Sequence, residues 1–263
     1  MRPKPAIVAL LCRTSDREQA GAEGALALAQ ELGRRAGVEA RVVGEPGEPR
    51  AGHWRDDLRD SRGCLLEAGG QVDDALADGG YPLLVSSECT ICLTTLPAVL
   101  RHHPGTTVLW LDAHGDFNTP DTTPSGFLGG MCLAGACGLW DAGFDGDHVD
   151  PTAVVMCGQR DLDGPERVLL ETHGVGLVER PSQLAGVLRG RTVFIHLDLD
   201  VLDPAVLPAQ FPAPGGFSDG GLRTLLAEVM EAGDVIGCEI ASFAQPRLVR
   251  RIATVVEPVA LVQ

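Results

Sequence analysis

Basic residues are scarce in this chain: 21 lysines and arginines stand against 36 aspartates and glutamates, a formal net charge of −15. A surface so poor in cations lacks the concentrated basic face that phosphate contact needs, which argues against nucleic acid or an anionic membrane as partner. The acidity fits a solvated surface or a cationic ligand. Missing too is any run of about 18 uninterrupted apolar residues, so no membrane span is expected. The opening MRPKPAIVALLCRTSDRE has a short apolar stretch without a small-residue cleavage site behind it, and it reads as a first strand. Zinc-finger spacing is absent from the eight cysteines, Cys12, Cys64, Cys89, Cys92, Cys132, Cys137, Cys157 and Cys238. Most lie inside apolar runs, so buried reduced thiols in a cytoplasmic protein are expected. There is no internal repeat and no low-complexity tract.

What is present suffices for a full core: 263 residues, 44% of them hydrophobic, fit one large α/β domain over residues 1–263. Short β-rich apolar runs alternate with helical stretches: PAIVALL, EARVVG, YPLLVS, TTVLWLD, TAVVMCG, GVGLVE, TVFIHLD and DVIGCEI. That is the pattern of repeated βαβ units and predicts a mainly parallel sheet of about eight strands. Periodicity leaves barrel and open sheet undecided, but both put ligands at the carboxyl ends of strands. Residues 44–63, GEPGEPRAGHWRDDLRDSRG, are polar and rich in Gly and Pro and read as a surface loop.

Two acidic clusters sit at such strand ends. In WLDAHGDFNTP, residues 110–120, Asp112, His114 and Asp116 occupy every second position after an apolar run. In an extended segment they leave the backbone on one side and converge. Carboxylates crowded together without a cation raise each other's pKa, so a metal or a catalytic proton is expected there. In TVFIHLDLDVLDP, residues 192–204, His196, Asp198 and Asp200 share a face, and Asp203-Pro204 turns the chain away. Oxygen-rich ligation with few nitrogens suits a divalent ion such as Mn²⁺, and aspartates can bridge two ions about 3.5–4 Å apart.

These stretches resemble the two metal signatures of the ureohydrolase family, which includes arginases and agmatinases. The likeness extends to DFNTPDTTPSGFLGG at 116–130, RDLD at 160–163, PAPGGFS at 212–218 and CEIA at 238–241, in order along the chain. It implies a three-layer α/β/α sandwich with an open sheet, and hydrolysis of a small guanidine substrate at two Mn²⁺ ions, with Co²⁺ or Fe²⁺ as other choices. Carried over, Asp112 and Asp198 bridge the ions, Asp116 completes one site, and His114 and Asp200 complete the other. Asp116 also passes a proton to the leaving amine, and Glu239 holds the guanidinium. Asn118, Thr123, Ser125 and Asp163 match positions that hold the α-amino and α-carboxylate groups of the substrate.

The departures are specific. Cys89, in VSSECTI, stands where the family has a metal-binding histidine, and a thiolate there is a softer, more negative ligand. Gly129 replaces a histidine at the cleft mouth and is expected to leave space for an additional substrate oxygen, and Phe127 replaces an asparagine. His196 stands where serine is usual; it reads as a hydrogen-bonded core histidine, with a supporting or ligand role open. ECTICLTTLP and HGDFNTPDTTPSGFLGGMCLAGACGLWDAG resemble the branch of the family that converts Nω-hydroxy-L-arginine to hydroxyurea and L-ornithine in antibiotic biosynthesis. A catabolic arginase or agmatinase and a metal-poor non-catalytic relative are the alternatives. Monomer and homo-oligomer are left undecided.

Overall fold

The eight apolar runs pair side by side because each carries only five or so residues of β-branched and aliphatic character between breakers, too short for a helix and too apolar for a surface. A computed structural model of the chain describes residues 5–18 and 20–261. Its strands are β1 (Pro5–Leu10), β2 (Arg41–Val43), β3 (Tyr81–Val85), β4 (Thr107–Leu111), β5 (Val154–Cys157), β6 (Gly176–Leu177), β7 (Thr192–Asp198) and β8 (Asp234–Ala241). They form one sheet in the order β2-β1-β3-β8-β7-β4-β5-β6, and every pairing is parallel.

Helices cover both faces. On one side α1 (Ala20–Ala36), α6 (Leu184–Leu188), α7 (Asp219–Ala232) and α8 (Val249–Ala260) bury Leu28, Leu188, Leu225 and Val256 against Leu109, Ile195 and Leu197 of the sheet. On the other, α2 (Trp54–Ala77), α3 (Cys92–His102), α4 (Cys132–Ala136) and α5 (Gly164–Thr172) bury Leu65, Leu96, Leu133 and Leu170 against Val108, Trp110 and Phe194. The result is the expected three-layer α/β/α sandwich. The open sheet, not the barrel, is realised.

The chain lays down β1 and β2, returns with β3, then skips two strand positions to β4; β7 and β8 later fill the gap. Ligands bind in open sheets where the order reverses, at the carboxyl ends of the strands. Register places Leu84, Glu239, His196 and Trp110 side by side across β3, β8, β7 and β4. Strand alternation then puts Asp112, two residues beyond Trp110, and Asp198, two beyond His196, on the α2/α3 side of that row.

Two expectations are corrected. The loop read at 44–63 ends at His53, because α2 begins at Trp54. The charged stretch is amphipathic: Asp57, Ser61, Leu65, Ala68 and Val72 form the buried face, and Asp57 meets Arg13 Nη1 at 2.8 Å. Nor are all cysteines free thiols. Cys12, just after β1, is bonded to Cys64 of α2, their Cα atoms 6.3 Å apart, while the other six are buried and free. No helix of the described residues is long and apolar enough to cross a membrane.

Candidate metal centre and substrate cavity

Where β4 ends, Asp112 turns the chain with its own carboxylate: Oδ1 accepts from the His114 amide at 2.7 Å and Oδ2 from the Trp110 indole at 3.1 Å. Asp198 does the same after β7, accepting from the Asp200 amide at 2.7 Å through Oδ1. Its Oδ2 accepts from Ser242 and from Cys89 Sγ, the latter at 2.8 Å. Asp200 Oδ1 in turn accepts from the Ala113 amide at 3.1 Å, which ties the two strand ends together. His114 Nδ1 lies 3.0 Å from Asp200 Oδ2 and 3.4 Å from Asp112 Oδ1. Asp116 takes a left-handed backbone, φ 49°, and its carbonyl accepts from the amides of Leu133 and Ala134. That region is uncommon for a non-glycine residue, and aspartate is among those that adopt it most readily.

The electrostatics of this cluster call for a cation. Burial, and then the charge of Asp200, pushes the Asp198 carboxyl up to about 6. Burial and the neighbouring Asp112 raise Asp116 well above the usual carboxylate range, and raise Asp200 as well. Burial and Asp198 push the Cys89 thiol well up. Burial pulls His114 down, but its bonds to Asp112 and Asp200 outweigh this and lift it to about 12. Each acidic group is held away from its ordinary ionisation, first by burial and then by neighbouring charges that His114 offsets only in part, and a divalent ion would relieve the crowding of carboxylates. Two groups have ligand atoms within 4.8 Å of one another: Asp112, His114 and Asp200, and Cys89, Asp112 and His196. Asp112 belongs to both. The donor set of carboxylates with one or two nitrogens and a sulfur fits first-row divalent ions.

Above the cluster opens a cavity of about 300 Å³. All six expected ligands, Cys89, Asp112, His114, Asp116, Asp198 and Asp200, line it, as do Asn118, Thr123, Ser125 and Asp163. Asn118 Nδ2 donates to Asp163 Oδ2 at 3.2 Å. The hydroxyl oxygens of Thr123 and Ser125 accept from the amides of Gly126 and Phe127, which directs their protons elsewhere.

Glu239 is not on this wall. It is fully buried one row below, where Oε2 accepts from Thr95 Oγ1 at 2.6 Å and Oε1 lies 2.6 Å from His196 Nδ1. Both oxygens are engaged inside the protein, and Glu239 does not line the cavity where the expected guanidinium contact would lie. The chain reaches the cavity only three residues later, at Ser242. The space expected at Gly129 is also filled. A Cβ there would stand 2.5 Å from Phe127 Cε1 and 3.3 Å from Glu88 Oε2, so the Phe127 ring occupies the place of the missing side chain.

Several cavity groups escaped the sequence reading. Glu88 accepts from Gln210 Nε2 at 3.3 Å, and burial with the charge of Asp16 holds its carboxyl well above the usual range. Glu166 accepts from the amides of Phe117 at 2.9 Å and Asp163 at 3.3 Å, and burial brings it to about 7. Its signal was legible: Asp163 and Glu166 form a capping box at the start of α5.

Residues 51–256 match the family model described as "Arginase family". A curated relative, the N(omega)-hydroxy-L-arginine amidinohydrolase of Streptomyces lavendulae, is 36% identical over 256 residues, covering 94% of this chain and 93% of the relative. The arginase of Bacillus caldovelox is 31% identical over 209 residues, 72% of this chain and 70% of that one. Among solved structures, the arginase of Bacillus cereus superposes with a TM-score of 0.84 at 22% identity, covering 100% of this chain and 99% of that one. By the family model and the curated relatives that its sequence matches, this chain belongs to the arginase family.

Proposed function

We propose that this protein hydrolyses Nω-hydroxy-L-arginine to hydroxyurea and L-ornithine at a pair of divalent ions, Mn²⁺ by first choice, as one domain spanning residues 1–263 and working in the cytoplasm. As a member of its family it is a hydrolase of C–N bonds in linear amidines. The observation that carries the finer reading is the convergence of Cys89, Asp112, His114, Asp116, Asp198 and Asp200 on the floor of one cavity, with Asn118, Thr123, Ser125 and Asp163 on its walls.

Asp112 and Asp198 would be shared by both ions, with Asp116 and Cys89 serving one and His114 and Asp200 the other. Such a pair supplies a nucleophile near neutral pH by acidifying water. The remaining work falls to the chain. Asp163, steadied by Asn118, accepts the substrate's α-ammonium, and the hydroxyl protons of Thr123 and Ser125 meet its α-carboxylate. Water adds to the guanidine carbon, the bond from that carbon to the ornithine nitrogen breaks, and the departing amine takes up a proton. Asp116, on the cavity floor beside the reacting carbon, would carry that proton across.

Cys89 favours the hydroxylated substrate. A sulfur anion would bring more negative charge to the centre than an imidazole, so ions held there would attract an N-hydroxyl less strongly and leave it free to react. The resemblance to the Streptomyces lavendulae enzyme supports the same choice. The test is a panel of Mn²⁺-loaded protein with L-arginine, Nω-hydroxy-L-arginine, agmatine and formimidoylglutamate. The hydroxylated substrate is expected to lead L-arginine in kcat/KM by at least about tenfold, or about 1.4 kcal/mol. A preference for L-arginine or agmatine overturns this reading.

A further inference from the structure

His196 is fully buried, and its Nε2 is a buried nitrogen without a hydrogen-bond partner. A buried polar nitrogen left bare destabilises the fold, so its retention needs a reason. The ring is not loosely placed. Nδ1 sits 2.6 Å from Glu239 Oε1, Glu239 is itself fixed by Thr95 at 2.6 Å, and the imidazole stacks on Trp110 with centroids 3.5 Å apart and planes 7° from parallel. Trp110 meanwhile donates to Asp112. With Nδ1–H donated to the glutamate, the lone pair belongs to Nε2. A ring nitrogen of His196 shares a neighbourhood of 4.8 Å with a ligand atom of Cys89 and one of Asp112, and Nε2 is the nitrogen left free to bind there.

We propose that His196 is a ligand of the metal ion on the Cys89 side, with Glu239 as the residue that orients it. The inference rests on the metal centre proposed above and assigns it a donor that the family resemblance does not. A metal-binding histidine donates its other ring N–H to a carboxylate in just this manner, which fixes tautomer and ring orientation and makes the free nitrogen a better donor. The chemistry balances as well. Without His196, the Cys89 side would be built of anions only: a thiolate and the carboxylates of Asp112, Asp116 and Asp198. The imidazole returns one neutral nitrogen to the half of the centre where cysteine has replaced histidine. Glu239, freed from the cavity wall, acquires a role that explains its complete burial.

Cobalt gives a readout independent of turnover. In Co²⁺-loaded protein, each coordinated histidine contributes one strongly shifted, solvent-exchangeable ring N–H resonance in the proton NMR spectrum. Wild type is expected to show two, from His114 and His196, and His196→Gln one, with metal content per chain falling from two ions toward one. Glu239→Gln, milder for folding, is expected to move the His196 resonance and weaken binding of one ion by about 10–100-fold while the second ion stays. Two bound ions with a single shifted resonance in wild type, unchanged by either substitution, overturn the ligand assignment and leave the metal centre standing. Failure of wild type to take up cobalt at all overturns the centre itself.

Discussion

Cys89 Sγ and Asp198 Oδ2 lie 2.8 Å apart, both buried at the floor of the cavity. Burial and Asp198 keep the thiol protonated until a cation arrives, so binding on this side must expel a proton. Cys89→His removes that requirement. It is expected to tighten divalent-ion binding by about tenfold, about 1.4 kcal/mol, and to shrink the preference for the hydroxylated substrate. Calorimetric titration at two pH values and the kcat/KM ratio check this; if both stay as in wild type, Cys89 is not a ligand.

Asp112 belongs to both groups of candidate ligands. Asp112→Ala is therefore expected to remove both ions and abolish turnover, whereas loss of a one-sided ligand such as His114 should spare one ion. Metal analysis after desalting separates the two outcomes. Retention of two ions per chain by Asp112→Ala sinks the shared-ligand assignment.

Phe127 and Gly129 fit one another. Gly129→Ala would drive a methyl against the Phe127 ring, at 2.5 Å from Cε1, and is expected to destabilise the protein by about 1–3 kcal/mol and raise KM. Phe127→Ala in the same chain should restore most of the stability. Thermal unfolding of the two single variants and the double variant measures the coupling, and strict additivity would dissolve the pairing.

Removing metal should cost more stability in alkali than in acid. Asp198 is raised from 3.8 to about 6 and Glu166 from 4.5 to about 7, burial being the largest cause in each. A raised carboxyl binds its proton more tightly folded than unfolded. Its stabilising effect is complete below about pH 4 and is lost as pH climbs through 6 to 7. Metal-free protein should accordingly melt lower at pH 8 than at pH 5, and Mn²⁺ should raise the melting temperature more at pH 8. An equal gain at both values would mean that these carboxyls do not sense the ions.

Much of this was readable beforehand, for definite reasons. Eight apolar runs between breakers became eight strands, and carboxylates at every second position after two of them became the floor of a cavity, because side-chain alternation is a local property. What escaped depends on partners remote in sequence. The pairing of Glu239 with His196 needs the register of β8 on β7, and the bond between Cys12 and Cys64 spans a separation of 52 residues. The buried face of α2 was hidden by its aspartates, since Asp57 is inside only because Arg13 meets it. Nothing local marked the Phe127 ring as lying over Gly129.

The strand order carries a consequence for how the molecule is made. The two strands at the heart of the sheet, β7 and β8, are the last to leave the ribosome, while β3 and β4, which flank them, emerge long before. Until residue 241 is available, both earlier strands present unpaired edges, and the carboxylates of Asp112 and Asp116 have no facing wall. Nascent chains of this kind are exposed to wrong pairings for as long as translation lasts. A ribosome stalled before β7 thus holds part of a sheet and a cluster still lacking Asp198 and Asp200, so a divalent ion that needs both strand ends would act as a late checkpoint on completed chains rather than as a template for growing ones.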